Sequence, residues 1–180
     1  MKTSQIIGSF FRDIFNELDD SAREDLEKIV LLGNPVAVEH FIEEHNVTHF
    51  LRDSEGNTML HLFMQSIFPK KIQPLLDKGL SVNAVNDKGE TPLHSGCRAC
   101  CVSHLEKLIE YGADIFSLNY NGDSCLHIAA NTGSVQVTSF LLESGLPIGL
   151  MNKQGKTALD IAIEAEEYEL ASLISQSVAA

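Results

Sequence analysis

His94, Cys97, Cys100, Cys101 and His104 fall within one short stretch and form the densest set of potential metal ligands in the chain. On a helix His94, Cys97 and Cys101 share a face, and thiolate with imidazole is a zinc ligand set. Two other groups invite a chemical reading. His61, His94 and His127 recur at a constant interval, and Asp160 and Glu164 stand one helical turn apart. None of the three histidines has an acid or nucleophile beside it in a distinctive motif. There is no phosphate-cradling glycine loop and no metalloprotease motif, so the residues do not point to an enzyme.

The histidines belong to a larger pattern. Gly56-Asn57-Thr58-Met59-Leu60-His61, Gly89-Glu90-Thr91-Pro92-Leu93-His94, Gly122-Asp123-Ser124-Cys125-Leu126-His127 and Gly155-Lys156-Thr157-Ala158-Leu159-Asp160 follow one another at a step of 33 residues. Gly79, Gly112 and Gly145 keep the same step, with Asn46 one period earlier, and so do Asp53, Asn86, Asn119 and Asn152. A fixed period of this length is the mark of stacked supersecondary units. Thr58, Thr91, Ser124 and Thr157 sit where a hydroxyl caps a helix, and Pro92 falls at the first helical position, where its missing N–H is harmless. Gly79, Gly112 and Gly145 follow apolar segments, where a helix leaves through a left-handed residue. Each unit therefore reads as helix, turn, helix and an extended finger closed by a glycine turn.

Thr91-Pro92-Leu93-His94 with Gly112-Ala113-Asp114 resembles the ankyrin repeat signature without a gap, and Cys125-Leu126-His127-Ile128-Ala129-Ala130 is nearly as close. The resemblance covers roughly residues 22 to 176 and implies an all-α solenoid of about five repeats. The expected divisions are an N-terminal capping helix over 1–19 and a repeat domain over 20–180, with repeats at about 20–52, 53–85, 86–118, 119–151 and 152–180. Ile6, Ile7, Phe10, Phe11, Ile14, Phe15 and Leu18 mark the apolar face of the first helix. Asp13, Glu17, Asp19 and Asp20 on its polar side argue against membrane docking, which favours Lys and Arg there. In the second unit Phe63 and Met64 replace small alanines, and Pro74 is expected to bend its second helix.

The repeat register bears on the cysteine–histidine cluster. The resemblance implies that His61, His94 and His127, with Thr58, Thr91 and Ser124, tie helix starts to neighbouring backbone. Cys97 falls on the small buried slot of Ala130, which a cysteine fills as a compact apolar residue. Cys100 takes the turn position of Gly133. Zinc therefore gives way to packing, with no metal or other cofactor expected, and four cysteines without a paired framework suit a reducing compartment.

The formal net charge is −12, and residues 1–57 hold twelve acidic against five basic side chains. Such a field repels nucleic acid and favours a basic protein partner, although acidic surfaces also simply keep proteins soluble. The finger positions Arg52, Val85, Leu118 and Met151 form a column, flanked by Asp87, Tyr120 and Lys153. Apolar residues are unusual there, and Phe116 stands where an Asn is common. Large exposed side chains in a stripe suggest a partner site, so Arg52, Val85, Phe116, Leu118, Tyr120, Met151 and Lys153 are the expected binding residues. Folding back onto neighbouring fingers is the alternative.

Asn119-Tyr120-Asn121-Gly122-Asp123-Ser124-Cys125-Leu126-His127 resembles a stretch of the inhibitor-of-NF-κB (IκB) family. Gly56-Asn57-Thr58-Met59-Leu60-His61 resembles the short viral versions carried by parasitoid-wasp polydnaviruses. The resemblance implies a protein that is monomeric when free, sits in the cytoplasm or nucleus, and sequesters a Rel/NF-κB-type transcription factor. Asp20-Ser21-Ala22 does not match the Asp-Ser-Gly phosphodegron of cellular members, which implies an inhibitor that signalling does not remove. The competing reading is a host-directed effector, or an adaptor or scaffold, with an unrelated protein target.

Overall fold

The structure, a computed structural model, describes Arg52, residues 55–64, Leu76 and residues 80–178. The expected capping helix over 1–19, most of the first repeat, Gly79 and, apart from Leu76, the second helix expected in the second unit with its proposed bend at Pro74 lie outside these residues. The described residues hold seven helices and no strand: α1 (Met59–Phe63), α2 (Pro92–Arg98), α3 (Val102–Glu110), α4 (Cys125–Thr132), α5 (Val135–Glu143), α6 (Ala158–Glu164) and α7 (Tyr168–Val178).

The cap residues fix where the helices start. Thr91, Ser124 and Thr157 hold extended backbone immediately before α2, α4 and α6, and each closes a capping box with the residue three positions on. In the first two boxes a histidine takes the place usually held by Glu or Gln. Glycine fixes where helices end. After α3, Gly112 (φ 84) donates its N–H to Ile109 and Ala113 donates to Leu108, and after α5, Gly145 and Leu146 do the same to Leu142 and Leu141. These paired bonds satisfy carbonyls that the helix leaves open and need a left-handed residue at the exit. At the turn between paired helices the left-handed residue is Gly133 in one unit, but Cys100 (φ 58) and Glu166 (φ 61) in its neighbours. A side chain in that conformation costs about 1–2 kcal/mol.

Two rows of helices result. In one, α1 packs on α2, α2 on α4 and α4 on α6; in the other, α3 packs on α5 and α5 on α7. The first row is lined by small residues, Cys97, Cys125, Ala129, Ala130, Ala158 and Ala162, all buried, which let neighbouring helices approach closely. Leu93, Leu105, Leu108, Leu126, Val137, Leu141 and Ile174 fill the space between the rows. Each fully buried leucine contributes roughly 1.5–3 kcal/mol relative to an exposed one.

Fingers connect the units, and an asparagine holds three of them. Asn86 Oδ1 accepts from the N–H groups of Lys88 and Glu90, both at 2.9 Å. Asn119 does the same for Asn121 and Asp123, and Asn152 for Gln154 and Lys156. Left-handed Gly89, Gly122 and Gly155 close the turns by donating to Asn86, Asn119 and Asn152 at 2.9 Å. Adjacent fingers are then joined through their backbones. The N–H groups of Asp87, Tyr120 and Lys153 donate to the carbonyls of Glu55, Lys88 and Asn121 in the preceding finger, at 3.0, 2.9 and 2.9 Å.

Candidate functional site

The repeating histidines form a relay between units. Thr91 N donates to His94 Nδ1 at 3.1 Å, so that nitrogen is an acceptor and carries no proton. The proton therefore sits on Nε2, which faces the Asp123 carbonyl of the next unit at 3.3 Å. The same arrangement recurs for His61, between Thr58 and the Glu90 carbonyl at 2.8 Å, and for His127, between Ser124 and the Lys156 carbonyl at 3.1 Å. All three histidines are buried. Burial is the main influence on His94 and pushes its pKa below the ordinary value of 6.5, against the opposing pull of its bond to the Asp123 carbonyl. The neutral tautomer is the one that fits both partners.

Beside this relay Glu90 is buried and accepts hydrogen bonds from the two terminal nitrogens of the Arg98 guanidinium, at 3.1 and 2.6 Å. Burial alone would raise the Glu90 pKa. The hydrogen bonds and charge of Arg98, with a bond from Asn86, outweigh it and hold the carboxyl below its usual range.

The cysteine–histidine cluster is drawn apart by the same geometry. His94 spends both ring nitrogens on the relay. Cys97 is fully buried, and burial, then its hydrogen bond with Cys125, raises its thiol pKa well above the usual range. Cys100 is exposed, and Cys101 forms the N-cap of α3. Among the described residues no three His, Cys, Asp or Glu side chains gather as a metal site, and no helix is long and apolar enough to cross a membrane. Asp160 and Glu164 are both exposed; Glu164 pairs with Lys156 at 2.6 Å. Asp160 accepts from Thr157 N and Oγ1, at 2.8 and 2.7 Å, and these bonds lower its pKa.

The fingers present a different surface. Val85, Phe116, Leu118, Tyr120 and Met151 are 41, 59, 45, 60 and 63% exposed. Two of the expected binding residues also hold the fingers together. Arg52 is exposed, yet its guanidinium donates to the carbonyls of Gly56 and Val85, at 2.7 and 2.5 Å, bridging two fingers. Tyr120 lays one side of its ring over Gly89, where an added Cβ would run into it. Lys153 is exposed and bonds the preceding finger through its backbone.

Phe116 shows how the aromatic was admitted. One period earlier Asn83 clamps two units together, donating to the Gly112 carbonyl at 3.0 Å and accepting from Asp114 N at 2.9 Å. One period after Asp114 stands Pro147, which has no N–H to satisfy. Phe116 thus replaces Asn83's counterpart without leaving a donor unpaired. The sequence flags Phe116 as unusual, but the role of Asn83 shows only in the contact.

Behind the fingers, a groove of about 410 Å³ runs between them and the helices α4 and α6, lined mainly by polar groups including Asp123, Asn131, Lys156 and Glu164. Helix pairs, left-handed exits, histidine relays and joined fingers recur at one step along the described chain. The family profile for ankyrin repeats matches residues 26–119 and 104–179. The chain belongs to the ankyrin repeat family. Ankyrin repeats are protein–protein interaction modules, typically without enzymatic activity, and this chain is one of them. No curated protein matches it as a relative.

Proposed function

We propose that this ankyrin protein is an IκB-like inhibitor that sequesters a Rel/NF-κB-type transcription factor. It does so as a monomeric solenoid of about five repeats, with a helix over residues 1–19 covering the first, in the cytoplasm or nucleus. The observation that carries this reading is the exposed apolar column of Val85, Leu118 and Met151, with Phe116 and Tyr120 beside it. Tyr120 also lies in the nine-residue stretch that resembles the IκB family, which ties the column to that class of partner. The net charge of −12 suits a basic DNA-binding surface, speeding encounter with it.

The test is titration of the full chain with purified Rel-homology domains, followed by the triple substitution Leu118→Ser, Tyr120→Ser and Met151→Ser. Binding at micromolar concentration or tighter is expected. The triple variant should weaken it at least tenfold, about 1.4 kcal/mol, with most of the thermal stability kept. Absence of any complex at micromolar concentration would remove the Rel-type assignment and leave an interaction module for another protein target.

A further inference from the structure

Three positions at the first helix of each unit are buried wherever another unit follows. They are Leu60 and His61 on α1 with Met64 just past its end, Leu93, His94 and Cys97 on α2, and Leu126, His127 and Ala130 on α4, all buried. The equivalent positions on α6 are Leu159, which is half-buried, Asp160, which is exposed, and Ile163, which is 51% exposed. Leu159 and Ile163 are four residues apart and so lie on one stripe of the helix. Ala158 and Ala162, on the adjoining stripe of α6 about 100° round the helix, remain buried. A flank built only to meet water would carry a polar residue at 163. Here it carries an isoleucine, larger than Ala130 or Cys97 at the covered positions.

The chemistry of the middle position says what can cover this stripe. In the earlier units the histidine offers Nε2–H, and the next unit answers with a backbone carbonyl. Asp160 offers a carboxylate instead, an acceptor without a proton to give. One more unit of the same kind would set its carbonyl oxygen against that carboxylate. A second copy stacked flank to flank would set Asp160 and Glu164 against their own duplicates. The border of the stripe is acidic, with Asp160 and Glu164, and its cation Lys156 is already paired with Glu164. The complementary surface is a donor-rich one, and Lys and Arg carry donors and no acceptor.

We propose that the outward flank of α6 is a second docking site, taking an amphipathic helix whose apolar stripe is bordered by Lys or Arg. Its apolar residues lie on Leu159 and Ile163 in the register that the following unit uses elsewhere, and its basic residues meet Asp160 and Glu164. This site is separate from the finger column and does not depend on the Rel-type assignment.

The experiment follows backbone amide signals of the isotopically labelled full chain during titration with two synthetic peptides of roughly 18 residues, about five helical turns. One has leucines at i, i+4 and i+7 with lysine borders; the other has glutamate in place of each lysine. The lysine peptide is expected to give saturable shifts confined to residues 156–167, and the glutamate peptide none. Ile163→Asp should weaken binding at least tenfold. Glu164→Lys, at an exposed position, should weaken it as well and keeps the test readable if Ile163→Asp unfolds. Shifts centred on the fingers, equal binding of the two peptides, or unaltered affinity in Glu164→Lys would overturn the proposal. So would a dimer of the free chain in sedimentation that Ile163→Asp dissociates, because the occupant would then be a second copy.

Discussion

The helix junctions and the fingers share one 33-residue step but treat their side chains in opposite ways. At the junctions the side chains themselves repeat: a hydroxyl, then a histidine, then a carbonyl of the next unit, in nearly the same geometry at His61, His94 and His127. In the fingers the backbone bonds repeat as faithfully, while the residues on them run from Arg52 through Val85 and Leu118 to Met151. A junction cannot vary because its side chains are the bonds. A finger is freer to vary because the bonds that recur in it are made by backbone and by an asparagine, with Arg52 and Asn83 adding contacts only locally, which leaves exposed positions such as Leu118 and Met151 open to selection by a partner. Stability in stacked repeats is carried by each unit and its contacts with its neighbours, so the two regions answer separately to substitution.

The largest expected effect is at a junction. His94→Ala removes the acceptor for the buried Thr91 N and one of the two donors to the Asp123 carbonyl, which keeps its bond from Asn119 N, and is expected to destabilise by about 1–3 kcal/mol in denaturant melts. The same residue gives the junction a pH signature. Because folding lowers its pKa below 6.5, the unfolded chain takes up the proton first as the pH falls. The stability that His94 contributes is therefore complete above about 6.5 and declines below it until the folded pKa is reached. Glu90, held below its ordinary 4.5, contributes a separate loss at lower pH. Melts across this range should show the upper slope flattened in His94→Ala; an unchanged slope would place the titrating group elsewhere.

Gly89→Ala probes a finger position where the junction rule returns. It needs a left-handed conformation, φ 72, beneath the ring of Tyr120. A loss of about 1–2 kcal/mol from the conformation alone is expected, and pairing with Tyr120→Ser should recover the part due to the clash. If the glycine substitution were neutral, the fingers would be looser than their bonding implies.

The smallest effect on stability belongs to Phe116→Asn. Pro147 presents no N–H for the restored amide to bind, so melts should agree with wild type to within about 0.5 kcal/mol. Binding of the partner should fall nonetheless. A clear gain in stability would mean that the asparagine finds the Gly145 carbonyl and that Phe116 had been tolerated at a cost.

The legible part of the fold was the part where backbone geometry admits few residue types. A helix start wants a hydroxyl, so Thr91, Ser124 and Thr157 announce α2, α4 and α6; a left-handed exit wants glycine, so Gly112 and Gly145 close α3 and α5. The exposure of Val85, Leu118 and Met151 was also readable, because large apolar residues stood where fingers turn outward. Contacts between residues about one period apart were not. The clamp from Asn83 to Asp114, the bridge made by Arg52 and the roof that Tyr120 forms over Gly89 each depend on how neighbouring fingers dock. Ile163 looked ordinary on its helix until its counterparts Met64, Cys97 and Ala130 proved fully covered.

The free thiols of Cys97 and Cys125 are hydrogen-bonded in the interior where α2 meets α4. They are shielded twice, by burial from any reagent and, at Cys97, by a raised pKa that keeps the thiolate scarce. An alkylating reagent therefore reaches the pair only in the moments when those two units part, while exposed Cys100 reacts at once. The protein carries its own clock for the opening of a single junction, and the lag between the two reactions measures the free energy of that local opening without any label having to be introduced.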